Sequence, residues 1–307
     1  MAEVNTLVVR KPCFGLPTGC PQCLSAYIYL KFAQFPFQLD FHLNNPHSDQ
    51  IPYFEVGDYV AYNNEKEGII ECLKKDVGVV DLDSGVSSLP EWISTKAILT
   101  TWLADALTYE LWLGCEGSSA YSIYYPDLPW PLGKILSWKK AHWVKLKHGI
   151  TNDNAEVKKE EIYERAKSAY DALSSCLGEQ NYLFENRAII DFNLLVMYSY
   201  ALFGLCRPSS LDAIFLAHGL VVLHALPESS MLRIKFSEHA HLVRYVQQCK
   251  TEFIEAAPSP SSAPRFHTGA SSSASKSHSI VVFLTLMTSF DDAEVELDDD
   301  GGYDFDE

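Results

Sequence analysis

Apolar positions change their spacing once along this chain, and the change divides it in two. Through residues 1–85 they fall in short blocks. TLVVRK at 6–11, FQLDFHL at 37–43 and DYVAYN at 58–63 read as strands. Two runs of helical spacing lie among them, SAYIYLKFA at 25–33 and KEGIIECLKKD at 66–76, the second stopped near Gly78. With Ile51 and Pro52 opening a further short strand, the predicted order is β-α-β-β-α. From residue 86 to 255 the helical period dominates and predicts a second, all-helical domain. Ile98, Leu99, Trp102, Leu103, Ala106 and Leu113 make one apolar stripe. Ile162, Ala166, Ala169, Tyr170, Leu173 and Cys176 make another, which Gly178 closes. Ser209 and Asp212 stand in the S-x-x-D relation of a capping box, in which each side chain satisfies a backbone N–H at a helix start. The run that follows, AIFLAHGLVVLHAL, is almost wholly apolar, as expected of a central buried helix.

The last part of the chain breaks this pattern. Residues 256–279 are rich in Pro, Ser and Ala and cannot bury enough apolar surface to offset the entropy of ordering, so a disordered linker is expected. An eight-residue apolar run, IVVFLTLM at 280–287, precedes residues 291–307, which carry ten carboxylates and no Lys or Arg. Of the formal charge of −16, that acidic tail leaves only −6 for the other 290 residues. The body is therefore mildly acidic with no basic stripe, which excludes nucleic acid as an expected partner. The 307 residues, 47% hydrophobic and 12% aromatic, suffice for a sizeable core. The eight cysteines lack a secreted-type framework, and MAEVNTLVV has neither a basic start nor a long apolar stretch. Reduced thiols in, or facing, the cytosol are expected. Any organelle address would lie elsewhere than in a cleavable leader.

Cys20, Pro21, Gln22 and Cys23 form the constellation with an enzyme-like meaning. In the thioredoxin-like fold that the β-α-β-β-α order describes, a Cys-x-x-Cys at the N-terminus of the first helix is a redox device. The helix end stabilises the Cys20 thiolate and Cys23, one turn on, could resolve a mixed disulfide. Cys13 adds a third thiol nearby. Glutathione binding would use the edge at Pro52, usually cis in that fold, and an acid/hydroxyl pair at the next helix. Residues 63–67 supply carboxylates but no Ser or Thr, so Pro52 is expected to be structural. His218 and His224 sit on the apolar helix. His239 and His241, two apart, point to different faces and are poor joint metal ligands. Cys72, Cys115, Cys176, Cys206 and Cys249 show no zinc-type spacing, so neither metal nor cofactor is expected. The segment 121–145, with three Trp and four Lys, reads as a long connection packed over the core or as a surface facing a partner or membrane.

A thioredoxin-like half followed by a helical half with a capping box resembles the glutathione transferase architecture. The stretches FGLPTGCPQCLSAYIYLKFAQFPF, NNPHSDQIPYFEVGDYVAYNNEKEGIIECLKK, NYLFENR and PSSLDAIFLAHGLVVLHALP narrow the resemblance to the metaxins, the plant type above all. It covers most of residues 5–255. It implies a thioredoxin-like domain, a glutathione-transferase-like helical domain and a non-catalytic role at the cytosolic face of the mitochondrial outer membrane. There such proteins receive precursors and pass β-barrel proteins to the sorting and assembly complex. The competing expectation is a glutaredoxin-like or glutathione-dependent oxidoreductase using Cys20 and Cys23. The chain departs from the family pattern twice. Residues 280–287 are too few to span a bilayer, which takes about twenty, and read either as a truncated anchor remnant or as a chance apolar run. Residues 188–207, AIIDFNLLVMYSYALFGLCR, intervene where NYLFENR would run into PSSLDA. They are read as a suspected insertion such as a retained intron, with an extra core helix or a membrane span as alternatives.

Overall fold

The computed structural model describes residues 5–42, 48–65, 68–115, 117–184 and 208–255. Four strands, β1 (Thr6–Val9), β2 (Gln38–Phe41), β3 (Tyr53–Val56) and β4 (Tyr59–Tyr62), form one sheet in the order β2-β1-β3-β4. β1 runs parallel to β2 and antiparallel to β3, which pairs antiparallel with β4. The register sets Leu7 beside both Leu39 and Phe54, and Phe54 beside Ala61. Helix α1 (Pro21–Phe32) connects β1 to β2, and α2 (Ile69–Lys75) follows β4. The parallel β1/β2 pair requires such a crossover, and the apolar run after Cys23 provides it.

The remainder of the described chain is helical. α3 (Pro90–Ile98), a π-helical turn (Leu99–Leu103), α4 (Ala104–Tyr109) and a second π-helical turn (Glu110–Gly114) follow one another without a break in right-handed helical backbone through Glu110. Then come α5 (Ser118–Tyr124), α6 (Leu132–Lys147), α7 (Ala155–Leu177), α8 (Ser210–Ala225), α9 (Met231–Ser237) and α10 (Ala240–Lys250). The fold is thus an α/β thioredoxin-like domain followed by a glutathione-transferase-like helical domain, both within one compact unit.

α8 is the centre of the molecule. It packs on α1, eight of whose twelve residues are buried, which is why α1 is apolar nearly all round. Burial of Leu211, Phe215, Leu216, Leu220 and Val221 contributes about 1.5–3 kcal/mol each. A helix cap adds roughly 1 kcal/mol. Burial therefore decides that α8 forms, and the cap decides where it starts.

Two expectations require correction. The stripe from Ile98 to Leu113 is interrupted, because Trp102 is 39% exposed while Leu99, Leu103 and Ala106 are buried. The π-helical turn at Leu99–Leu103 holds an extra residue and rotates the buried face past Trp102. The segment 121–145 is also no long connection. Pro126, Pro129 and Pro131 all lie in the short link between α5 and α6, so nothing breaks the helix after Leu132. Residues 188–207, Cys206, the linker 256–279, the apolar run 280–287 and the acidic tail lie outside the described residues.

Candidate functional site

The thiol cluster is assembled from three elements. Strand β1 ends at Val9 and delivers Arg10, which turns inward and is buried. A tight turn, with Leu16 N–H donating to the Cys13 carbonyl at 3.0 Å, returns the chain toward α1. Phe14 and Gly15 adopt positive φ in that turn. Cys20 occupies the residue before α1, Pro21 starts the helix, and Cys23 lies one turn further on the same side. Both sulfurs are inaccessible, with Cys20 and Cys23 each 0% exposed. Gly19 permits this crowding, since a Cβ there would collide with the Cys13 sulfur.

Arg10 organises the cluster. Its Nη1 donates to Cys20 Sγ at 3.0 Å, reaches Cys23 Sγ at 3.6 Å, and donates to the Ile51 carbonyl at 3.3 Å. Its Nη2 donates to the Ser48 carbonyl at 3.0 Å. The guanidinium carbon stands 4.7 Å from the centre of the Tyr124 ring, and the Tyr124 hydroxyl lies 3.9 Å from Cys20 Sγ. Burial by itself raises the Cys20 thiol. The hydrogen bond from Cys23 and the charge of Arg10 outweigh it, so Cys20 is held well below the ordinary thiol range. Burial and the adjoining Cys20 push Cys23 up, and burial pushes Cys13 up to about 11. The cluster thus places a guanidinium against two sulfurs, with Cys20 the one whose ionisation its neighbours favour.

This arrangement has the chemistry for thiol exchange but offers no approach to it. Tyr124, contributed by α5 of the helical domain, covers Cys20 from one side. The Ile51–Pro52 peptide bond is cis, and Pro52 is buried beside the cluster. Both backbone groups of Ile51 are satisfied internally: its N–H donates to the Ser48 carbonyl at 3.3 Å and its carbonyl accepts from Arg10. A peptide thiol seeking main-chain hydrogen bonds along that edge would first have to displace Arg10. A cleft of about 190 Å³ does open between α3 and α7, lined by Glu91, Thr95 and Leu173 among others. It contains none of the cluster residues.

Ser209 and Asp212 lie at the other structural centre, the start of α8. Asp212 N–H donates to Ser209 Oγ at 3.3 Å, and Ser209 N–H donates to Asp212 Oδ2 at 2.8 Å. Asp212 also accepts from Leu183 N–H at 2.9 Å and from the Tyr245 hydroxyl at 2.8 Å. Burial raises its pKa, and these hydrogen bonds oppose the rise without cancelling it. Beside it, buried Asp83 accepts from Ser210 N–H at 2.8 Å and from Ser210 Oγ at 2.5 Å, and pairs with Lys74 at 2.5 Å. Two carboxylates thereby converge on one helix N-terminus, which favours negative charge. Each is tied to a different part of the chain.

The histidines do not meet as a group. His218 shares a 2.7 Å hydrogen bond with Tyr170, and His239 faces Asp171 at 3.0 Å. Among the described residues no cluster of His, Cys, Asp and Glu could hold a metal ion, and Cys13, Cys20, Cys23, Cys115 and Cys249 form no disulfide. Sequence reasoning missed Arg10, Tyr124 and Asp83. The one local signal was Arg10 itself, the first charge after an apolar strand.

Residues 21–117 match the glutathione S-transferase N-terminal domain family. The chain is 51% identical over 262 residues to the mitochondrial outer membrane import complex protein METAXIN of Arabidopsis thaliana, covering 85% of this chain and 76% of that one. It is 21% identical over 246 residues to Metaxin-2 of Mus musculus, covering 76% of this chain and 81% of the relative. The human Metaxin-2 is 22% identical over 240 residues, again across 76% and 81%. A solved glutathione transferase from Phanerochaete chrysosporium superposes with a TM-score of 0.44 and 10% identity, across 83% of this chain and 98% of that one.

Proposed function

Because the chain belongs to the metaxin family, we propose that it serves as a non-catalytic component of protein import at the mitochondrial outer membrane, facing the cytosol. In this reading it binds precursors or subunits of the sorting and assembly complex through its surfaces. The observation that carries the proposal is the 51% identity with the Arabidopsis import-complex protein across most of both chains. The closed state of the thiol cluster supports it. A catalytic Cys20 would have to be reached by substrate, and here it lies beneath Tyr124 with Arg10 occupying its sulfur.

The test is complementation. Mitochondria lacking their own metaxin are supplied with the full chain, with Cys20→Ser or with Cys23→Ser, and import of a radiolabelled β-barrel precursor is followed. All three chains are expected to restore import and to co-purify with the assembly complex. Failure of the unaltered chain to do either would overturn the proposal.

A second reading rests on the 3.0 Å contact between Arg10 and Cys20. In it the Cys20 thiolate attacks a substrate disulfide and expels one substrate thiolate. Cys23 then attacks Cys20 and expels the other, leaving a Cys20–Cys23 disulfide that external glutathione reduces. Glutathione-dependent disulfide reduction that vanishes on Cys20→Ser would establish this activity; its absence from the folded, unaltered chain would remove it.

A further inference from the structure

Helix α6 is at odds with the charge of the rest of the chain. The protein carries −16 overall, yet Leu132–Lys147 holds five lysines and no Asp or Glu. Its inner side is set by Gly133 and Val144, both buried; Gly133 lies against Tyr121, where a Cβ would come within 2.9 Å of the phenol oxygen. At about 100° per residue the opposite side carries Trp138, His142 and Leu146 in line at four-residue spacing. Lys134 and Lys145 border that line on one flank, and Lys139 borders it on the other, with Trp143 beyond. The exposure is large: Trp138 68%, Trp143 48% and Leu146 65%. In the link before α6, Trp130 is 83% exposed. The aromatic rings are held in place, Trp138 stacking on His142 with centres 5.8 Å apart and Lys140 lying 4.3 Å from the Trp143 ring centre.

We infer that the outward side of α6 is a membrane-contact face that docks reversibly on an anionic lipid surface. Charge complementarity carries the choice. Lysine is depleted from protein–protein interfaces, whereas exposed Trp flanked by Lys suits the headgroup region, where indole rings sit among the headgroups and ammonium groups meet lipid phosphates. Lys147 is paired with Asp105 at 2.9 Å, so the attraction falls mainly to the exposed Lys134 and Lys145. Each lysine at an anionic surface is worth roughly fivefold in partitioning. α6 itself, sixteen residues with five lysines, is suited to lie on a bilayer surface and not to cross it. The contact does not depend on the import role.

The test uses the full chain in flotation with phosphatidylcholine vesicles, with and without phosphatidylserine. Partitioning is expected to rise at least tenfold with the anionic lipid. Trp138→Ser with Leu146→Ser, and separately Lys134→Gln with Lys145→Gln, should each remove most of that rise while leaving the circular dichroism and thermal midpoint unchanged. Bromine-labelled acyl chains should quench tryptophan fluorescence in the unaltered chain. Equal binding to both vesicle types, or unchanged binding by both variants, would overturn the inference, the latter also assigning the contact to residues elsewhere, such as 280–287. Lysine-dependent capture of polyglutamate without vesicle binding would likewise overturn it, giving the face to an acidic protein.

Discussion

Arg10 shows how much a single residue can determine. A buried guanidinium is costly unless its donors are used, and here they reach two sulfurs and two carbonyls while the plane faces an aromatic ring. A lysine, with one compact head, could not span the same partners. Cys20, Cys23, Pro52, Ser209 and Asp212 were legible because each belongs to a motif a few residues long. Arg10 and Tyr124 were not, because their meaning lies in contacts between residues far apart, Tyr124 meeting Cys20 across 104 positions. His218 gives a residue-scale prediction. Burial pushes its pKa down to about 3 from 6.5. Folded protein thus keeps it neutral where the unfolded chain binds a proton, so its contribution is fully present above pH 6.5 and declines as pH falls toward 3. The whole effect is on the order of a few kcal/mol. Replacing His218 by Gln, which can still bond Tyr170, should flatten the dependence of stability on pH between those limits. Parallel pH profiles from urea unfolding of the two proteins would sink this account.

Elements were read well where period and punctuation agreed. The β-α-β-β-α order, the long helix α7 and the apolar helix α8 all follow from spacing. Reading failed at the π-helical turns, since a stripe drawn with a constant 3.6-residue period cannot anticipate an added residue. Within α8, Gly219 marks a crossing with α9 and α10. A Cβ there would sit 2.6 Å from Val246 Cγ2 and 3.2 Å from Phe236 Cζ. Replacing glycine by alanine in a helix adds up to about 1 kcal/mol from propensity, whereas overpacking a tight core costs about 1–3 kcal/mol. Because the nearest atom belongs to a short branched side chain, the clash should prevail. Gly219→Ala is expected to lower stability by about 1–2 kcal/mol, measured as a lower urea midpoint at unchanged slope. A higher midpoint would mean that the helices separate easily.

At the scale of the molecule, the sequence divides the chain more sharply than the packing does. α1 packs against α8, Asp83 accepts from Ser210 N–H at 2.8 Å, and the Arg10 guanidinium lies 4.7 Å from the Tyr124 ring centre. The two parts are expected to unfold together. All six tryptophans lie between residues 92 and 143, so their fluorescence reports the helical part alone. Buried Cys20 and Cys23 report the other part. Site-resolved thiol labelling in urea should therefore follow the same transition as tryptophan emission; labelling of the pair at clearly lower urea would show separate unfolding.

The clasp at Asp83 has a consequence for a severed chain. Ser87 and Ser88 are exposed in the link between α2 and α3. A cut there leaves Asp83 and Lys74 on one piece and Ser210 on the other, with α1 still seated against α8. Two separately supplied fragments are therefore expected to associate through the same contacts and co-elute as one species; fragments that elute apart would show that the covalent link is needed.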